Sequence, residues 1–192
     1  MCIRDRHYNN PVRSRAEIAV AVENGVKSYS VDSLTELQKL AAQVPAQGCE
    51  ISVRFKLPVN GSAYNFGAKF GATAELAVDL LRHVVALGFI PSLTFHPGTQ
   101  MSDLMLWDEY IRKAAWIAAE AGVTIARLNV GGGFPSYRTL GNQPPLEQIF
   151  AIIERATVQA FGDTRPALVC EPGRGMVADA FAVVNRIKAV RD

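Results

Sequence analysis

His96, Glu171, Arg174 and a run of three glycines are the residues of this chain whose types and spacing could do chemistry together. Each stands where a short apolar run stops. Leu93-Thr94-Phe95 precedes His96-Pro97-Gly98-Thr99, Leu128-Asn129-Val130 precedes Gly131-Gly132-Gly133, and Leu168-Val169-Cys170 precedes Glu171-Pro172-Gly173-Arg174. A fourth, weaker run is Ile51-Ser52-Val53-Arg54-Phe55. A strand that ends in a glycine-rich or charged turn and leads into a helix delivers its last side chains to one rim of a parallel sheet. Repetition then places an aromatic stacker, a phosphate cradle, a carboxylate and an arginine on one face. That is the inventory for holding a phosphorylated, nitrogen-containing aromatic cofactor.

Each feature also has a plainer reading. Gly131-Gly132-Gly133 serves equally as a tight turn or as a row of backbone N–H groups open to phosphate. It matches neither GxGxxG nor a P-loop, which disfavours a dinucleotide or a nucleoside triphosphate. His96 alone is most often structural, but Pro97-Gly98 behind it would hold its ring at the rim, with the Thr99 hydroxyl close by. The other histidines, His7 and His83, lack ligand spacing to it, so a metal is not indicated. Glu171 and Arg174 are either a surface ion pair of little worth or a carboxylate for a pyridinium N–H beside an arginine fork for phosphate. Arg54 inside an apolar strand is costly unless paired; it is expected to reach the rim and meet Glu36, Glu171 or the cofactor phosphate. Lys69 reads as structural, and Trp107, Tyr110 and Trp116 as ordinary packing.

The elements that must position these residues follow from the rest of the chain. Its 192 residues are 49% hydrophobic, enough for one substantial core. Lys+Arg 20 against Asp+Glu 18 leaves a formal charge of +2 without a basic stripe, so nucleic acid is not an expected partner. No apolar stretch approaches the roughly 20 residues that cross a bilayer, and Cys2, Cys49 and Cys170 show no CxxC spacing. A reduced, cytoplasmic, membrane-free protein is expected.

Helical and strand patterns alternate. Helices are expected over Arg15 to Glu23, from a Ser33–Glu36 capping box to about Val44, from Thr73 to Leu87, from Asp103 to Ala121, and from Pro144 or Pro145 to Phe161. Strands are expected over Lys27 to Val31, Glu50 to Leu57, Phe89 to His96, Thr124 to Val130 and Ala167 to Cys170, with a loop over Asn60 to Ala68 and a short strand or turn at Lys69-Phe70-Gly71. Such repetition demands a parallel sheet, either open or closed into a (βα)8 barrel. A full barrel takes about 250 residues, and this chain falls one or two units short.

Taken in order, Ser33-Leu34-Thr35-Glu36, Lys69-Phe70-Gly71, Phe95-His96-Pro97-Gly98-Thr99, Gly131-Gly132-Gly133-Phe134-Pro135 and Glu171-Pro172-Gly173-Arg174 resemble the alanine-racemase-fold, pyridoxal-phosphate-dependent decarboxylases. Gly-Gly-Gly-Phe-Pro, and Glu-Pro-Gly-Arg followed by Val177-Ala178-Asp179-Ala180-Phe181, look closest to ornithine/lysine decarboxylases. The resemblance implies an α/β fold, an incomplete (βα)8 TIM-type barrel over residues 10–179 that lacks its first strand and its C-terminal β-domain. It implies that residues 180–192 begin the crossing strand and that residues 1–9 are non-native or disordered. Pyridoxal 5′-phosphate is the implied cofactor: His96 stacks on its ring, Thr99, Gly133 and Arg174 bind its phosphate, Glu171 pairs with the pyridinium nitrogen, Arg54 and Glu36 support that shell, and Gly131, Gly132 and Gly173 count among the cofactor-binding residues.

Departures from the family pattern bear on activity. The Schiff-base lysine would fall just upstream of Asn10-Pro11, and Lys27, Lys56 and Lys69 stand in other motifs; the catalytic cysteine belongs to the C-terminal domain. The implied parent is a homodimeric decarboxylase of ornithine or lysine in polyamine biosynthesis, with this chain inactive and poorly soluble alone. Alternatives are a diaminopimelate decarboxylase or amino-acid racemase, a non-catalytic homologue of the antizyme-inhibitor kind, and an unrelated sugar-phosphate-binding barrel.

Overall fold

Among the described residues, six parallel strands, joined by helices, form a sheet in strict sequence order: β1 (His7–Tyr8), β2 (Ser28–Val31), β3 (Glu50–Arg54), β4 (Ile90–Thr94), β5 (Arg127–Asn129) and β6 (Ala167–Val169). The helices are α1 (Arg15–Glu23), α2 (Leu34–Ala41), α3 (Ala74–Ala86), α4 (Met105–Ala121), α5 (Leu146–Phe161) and α6 (Arg174–Val177). This computed structural model describes residues 6–57, 70–136, 144–178 and 180–190. The Asn60–Ala68 loop and Lys69 lie outside the described residues.

The sheet curls into a half-barrel. A flat six-stranded sheet would hold its first and last strands about 24 Å apart, at about 4.8 Å per neighbour. Instead Asn9, just past β1, hydrogen-bonds Glu171, just past β6, and the ring of His7 meets Arg127 of β5 at 3.1 Å. The first strand among the described residues therefore begins at His7, inside the segment expected to be non-native. A complete barrel of this type has eight strands; β1 and β6 are the open edges of this one.

Strand register sorts the side chains into an apolar outer wall and a polar lumen. Val31, Val53, Leu93 and Leu128 are matched across neighbouring strands and are fully or almost fully buried against the helices. Ser30, Ser52 and Ser92 form the matched inner row, followed toward the rim by Arg54, Thr94 and Asn129. Along β3, Glu50, Ile51, Ser52 and Val53 are all buried, whichever face they point to. A parallel strand is covered on both faces, one by helices and the other by the curl of the sheet itself.

Helix boundaries follow local chemistry. Thr73 caps α3, and Gly122, in the left-handed conformation, closes α4. At α2, Ser33 accepts the Glu36 N–H at 3.4 Å, but the reciprocal arm of the expected capping box is not made, because the Glu36 carboxylate pairs with Lys39. The complete capping box belongs to Ser14 and Glu17 at α1. The α2 helix also stops three residues before Val44. Residues 181–190 form neither helix nor strand, and Val184 is 95% exposed. A strand needs a ladder partner, and no edge of the half-barrel pairs with this stretch.

Candidate functional site

Three loops at the C-terminal rim of the sheet interlock, and their closeness explains the glycines. The aromatic rings of Phe55 and Phe95 face outward and pack on Tyr110 of α4, with Phe95 and Tyr110 stacked at 4.6 Å between centroids. Anchoring Phe95 outward turns its neighbour His96 to the inner side of the rim. The Gly98 N–H donates to His96 Nδ1 at 3.2 Å, which leaves the ring proton on Nε2. Gly131 and Gly133 hold φ of +74° and +82°, and a Cβ at either would stand 2.2 and 2.1 Å from the carbonyl oxygens of Phe95 and Gly98. A Cβ at Gly132 would stand 2.7 Å from the Glu171 carbonyl and 3.0 Å from His96 Nε2. The Glu171 N–H donates to the Gly131 carbonyl at 2.8 Å, joining the β6 loop to the others.

A cavity of about 220 Å³ opens where these loops meet. His96, Thr99, Gly132 and Gly133 line one part of it, and Glu171, Gly173 and Arg174 another. The Thr99 hydroxyl and the N–H groups of Gly132 and Gly133 have no hydrogen-bond partner among the described residues. Gln100 also lines the cavity, at a φ of +52° that glycine tolerates better. Its carboxamide exchanges hydrogen bonds with Ser136, at 3.1 Å from Nε2 and 2.9 Å to Oε1, locking the β4 and β5 loops together. Nothing in the local sequence marks Gln100 except its place four residues past His96.

A family model described as pyridoxal-dependent decarboxylase, pyridoxal binding domain, matches residues 4–178. The chain belongs to this family. It is 30% identical over 184 residues to the lysine/ornithine decarboxylase of Selenomonas ruminantium, covering 94% of this chain and 46% of that one. Antizyme inhibitor 2 of Xenopus laevis is 27% identical, with 96% of this chain and 41% of that one covered. The crystal structure of an SrLDC mutant in complex with PLP superposes with a TM-score of 0.78 at 29% identity, over 88% of this chain and 44% of that one. The chain thus spans under half the length of these relatives.

For a pyridoxal-binding domain of this family, the cavity has a fitting donor set. Glycines keep a cradle open that any Cβ would fill, bare N–H groups and a hydroxyl face it, and an arginine and a carboxylate stand at its rim. Two expected members of the set are placed elsewhere. The Gly131 N–H is taken by the Asn129 side chain at 2.9 Å, so Gly131 shapes the turn and donates nothing to a phosphate. Glu36 sits in the first turn of α2, in the helical layer outside the sheet, where it pairs with Lys39 and opposes the buried Arg13. Arg54 does reach the rim: its guanidinium lies 5.4 Å from the centre of the Phe70 ring. Burial lowers its pKa, while Asp32 and Glu171 oppose the shift. Asp32, which also accepts the Gly71 N–H at 3.0 Å, and Asn9 are site neighbours that the sequence pattern did not single out.

Among the packing residues, Trp107 is fully buried and 5.5 Å from Phe134, whereas Trp116 is 40% exposed under the Lys113 ammonium. Cys170 is half-buried against the core, and burial pushes its thiol pKa up, as expected of an unreactive cysteine.

His96 carries a pH signature. Burial, then the nearby Arg54 charge, lower its pKa to about 4, against an opposing pull from Glu171. The folded protein keeps a neutral ring where the unfolded chain, near 6.5, would take a proton. Stability from this group is therefore full above pH 6.5 and lost as pH falls toward 4, by at most about 3 kcal/mol. Urea midpoints between pH 7 and 4.5 should fall less steeply in His96→Gln than in the wild type; equal slopes would rule out the assignment.

Proposed function

We propose that this chain is the cofactor-holding wall of an enzyme that decarboxylates a basic L-amino acid, ornithine or lysine, to a diamine. The observation that carries the reading is the gathering of His96, Thr99, Glu171, Arg174 and the two open glycine amides around one cavity. The lysine/ornithine decarboxylase among its relatives supports the substrate class. Bound pyridoxal phosphate supplies an electron sink for the pair left on Cα when the α-carboxylate departs as CO₂.

The residues divide the work. The neutral His96 ring presents a flat face for stacking. The Thr99 hydroxyl, the Gly132 and Gly133 N–H groups and the Arg174 guanidinium together take the phosphate. Glu171 holds a proton on the ring nitrogen through a charge-assisted hydrogen bond, and Arg54 and Asp32 set the field around it. No lysine lines the cavity among the described residues, so the chain alone is proposed to bind the cofactor without turnover. Catalysis is proposed to need the rest of a homodimeric enzyme.

Tryptophan fluorescence titrations should show tighter binding of pyridoxal phosphate than of pyridoxal. Grafting residues 10–178 into the Selenomonas ruminantium enzyme should give a chimera that releases CO₂ from ornithine and lysine. A chimera that binds the cofactor but releases no CO₂ would favour a non-catalytic homologue instead. Release from meso-diaminopimelate alone would overturn the substrate class.

A further inference from the structure

Glu171 stands exposed at the open rim, yet its side chain is reached from the far side of the half-barrel. The reaching group is Asn9, which follows β1 and lies 162 positions away in sequence. We propose that Asn9 is a positioning residue, fixing one oxygen of Glu171 so that the other is presented to the ring nitrogen of the bound cofactor. The proposal rests on the cofactor reading above.

Asn9 Nδ2 donates to Glu171 Oε1, and Asn9 Oδ1 accepts from the Ser30 hydroxyl at 3.2 Å. An ionised carboxylate only accepts, so the amide must turn its NH₂ toward Glu171 and leave its oxygen to the Ser30 hydroxyl. Both ends of the carboxamide are engaged, and the amide has a single satisfied orientation. The Glu171 main chain is fixed independently by its hydrogen bond to Gly131 at 2.8 Å. Backbone and one carboxylate oxygen are then both held, and Oε2 is left to meet an N–H from the cavity.

The residue type suits this task. An arginine or lysine at position 9 would pair with Glu171 and compete with a cationic ring nitrogen for it. An aspartate would repel the carboxylate, and an alanine would leave it to rotate into solvent. A neutral donor anchored on Ser30 orients the charge without neutralising it. The sequence pattern places Asn9 in a segment expected to lie outside the fold, so this contact emerges only when β1 and β6 are brought together.

The test compares two ligands that differ at one atom: pyridoxal phosphate and its 1-deaza analogue, which has carbon in place of the ring nitrogen. Dissociation constants are measured by fluorescence on the full chain, for the wild type, Asn9→Ala, Asn9→Asp and Ser30→Ala. Asn9→Asp keeps the size of the side chain and guards against a folding artefact in Asn9→Ala. The wild type should prefer pyridoxal phosphate, and both Asn9 variants should lose about three- to tenfold of that preference, the worth of one hydrogen bond. Affinity for the deaza analogue should stay within about twofold, and Ser30→Ala should lose part of the preference. An unchanged preference in both Asn9 variants, or an equal loss for both ligands, would overturn the positioning role. A wild type that binds neither ligand, or both equally, would overturn the cofactor reading of Glu171 and the proposal with it.

Discussion

Gly133→Ala is expected to destabilise the fold by more than about 3 kcal/mol and to abolish cofactor binding. The backbone at Gly133 has φ +82°, where an L side chain costs about 1–2 kcal/mol before any contact is counted. The added Cβ would also stand 2.1 Å from the Gly98 carbonyl oxygen, a backbone atom that cannot swing aside as a side chain would. Relief would require moving the β4 loop, which Gly133 itself holds through the Met101 N–H at 2.8 Å. That loop carries His96 and Thr99, so any shift also opens the cavity. Gly25 supplies the control: its φ is +72°, but nothing lies within 4 Å of where a Cβ would stand, so Gly25→Ala should cost only the conformational part, about 1 kcal/mol. Urea midpoints of the two variants decide the matter. Equal losses would mean that the interlocking of the two loops contributes nothing.

The contrast between those two glycines shows what is legible in the sequence. Turn and cap chemistry is local, so Thr73 before α3, Gly122 after α4 and Pro145 before α5 can be read from their neighbours. The order of helices and strands is legible for the same reason, and with it the α/β class and the rim that collects strand-end residues. Which partner a side chain takes is not legible when that partner is remote. The three consecutive glycines look alike as letters, yet Asn129 consumes the N–H of Gly131 and leaves those of its two neighbours open. Ser33 and Glu36 fit a capping box, but Lys39, one turn on, takes the carboxylate. Glu36 closes the motif Ser33-Leu34-Thr35-Glu36, and the family resemblance is what suggests it for the site. A residue in the first turn of a helix can face the rim or the outer layer, and the letters do not say which.

The same limit applies at the chain start. His7-Tyr8 is too short a run to read as a strand, and only pairing with Ser28-Tyr29 of β2 makes it one. A two-residue edge strand contributes little by itself. Its place is fixed by what it carries: the Tyr8 ring, over which the buried Arg13 guanidinium lies at 4.8 Å, and Asn9 at the rim.

Arg174→Ala is expected to weaken pyridoxal phosphate binding by about 10- to 100-fold, the range for losing a charge-assisted hydrogen-bonded contact. Arg174 is exposed at the edge of the cavity and forms no ion pair among the described residues, so its removal should change folding stability by less than about 0.5 kcal/mol. Solvent at the rim screens the interaction, which places the effect toward the lower end of that range and makes it salt-dependent. Arg174→Lys keeps the charge but not the planar fork, and should recover only part of the loss. Pyridoxal, which lacks the phosphate, should bind wild type and Arg174→Ala alike. A matching loss for pyridoxal would mean that Arg174 acts on the shape of the loop instead of on the phosphate, and the phosphate would then have to rest on Thr99 and the glycine amides alone.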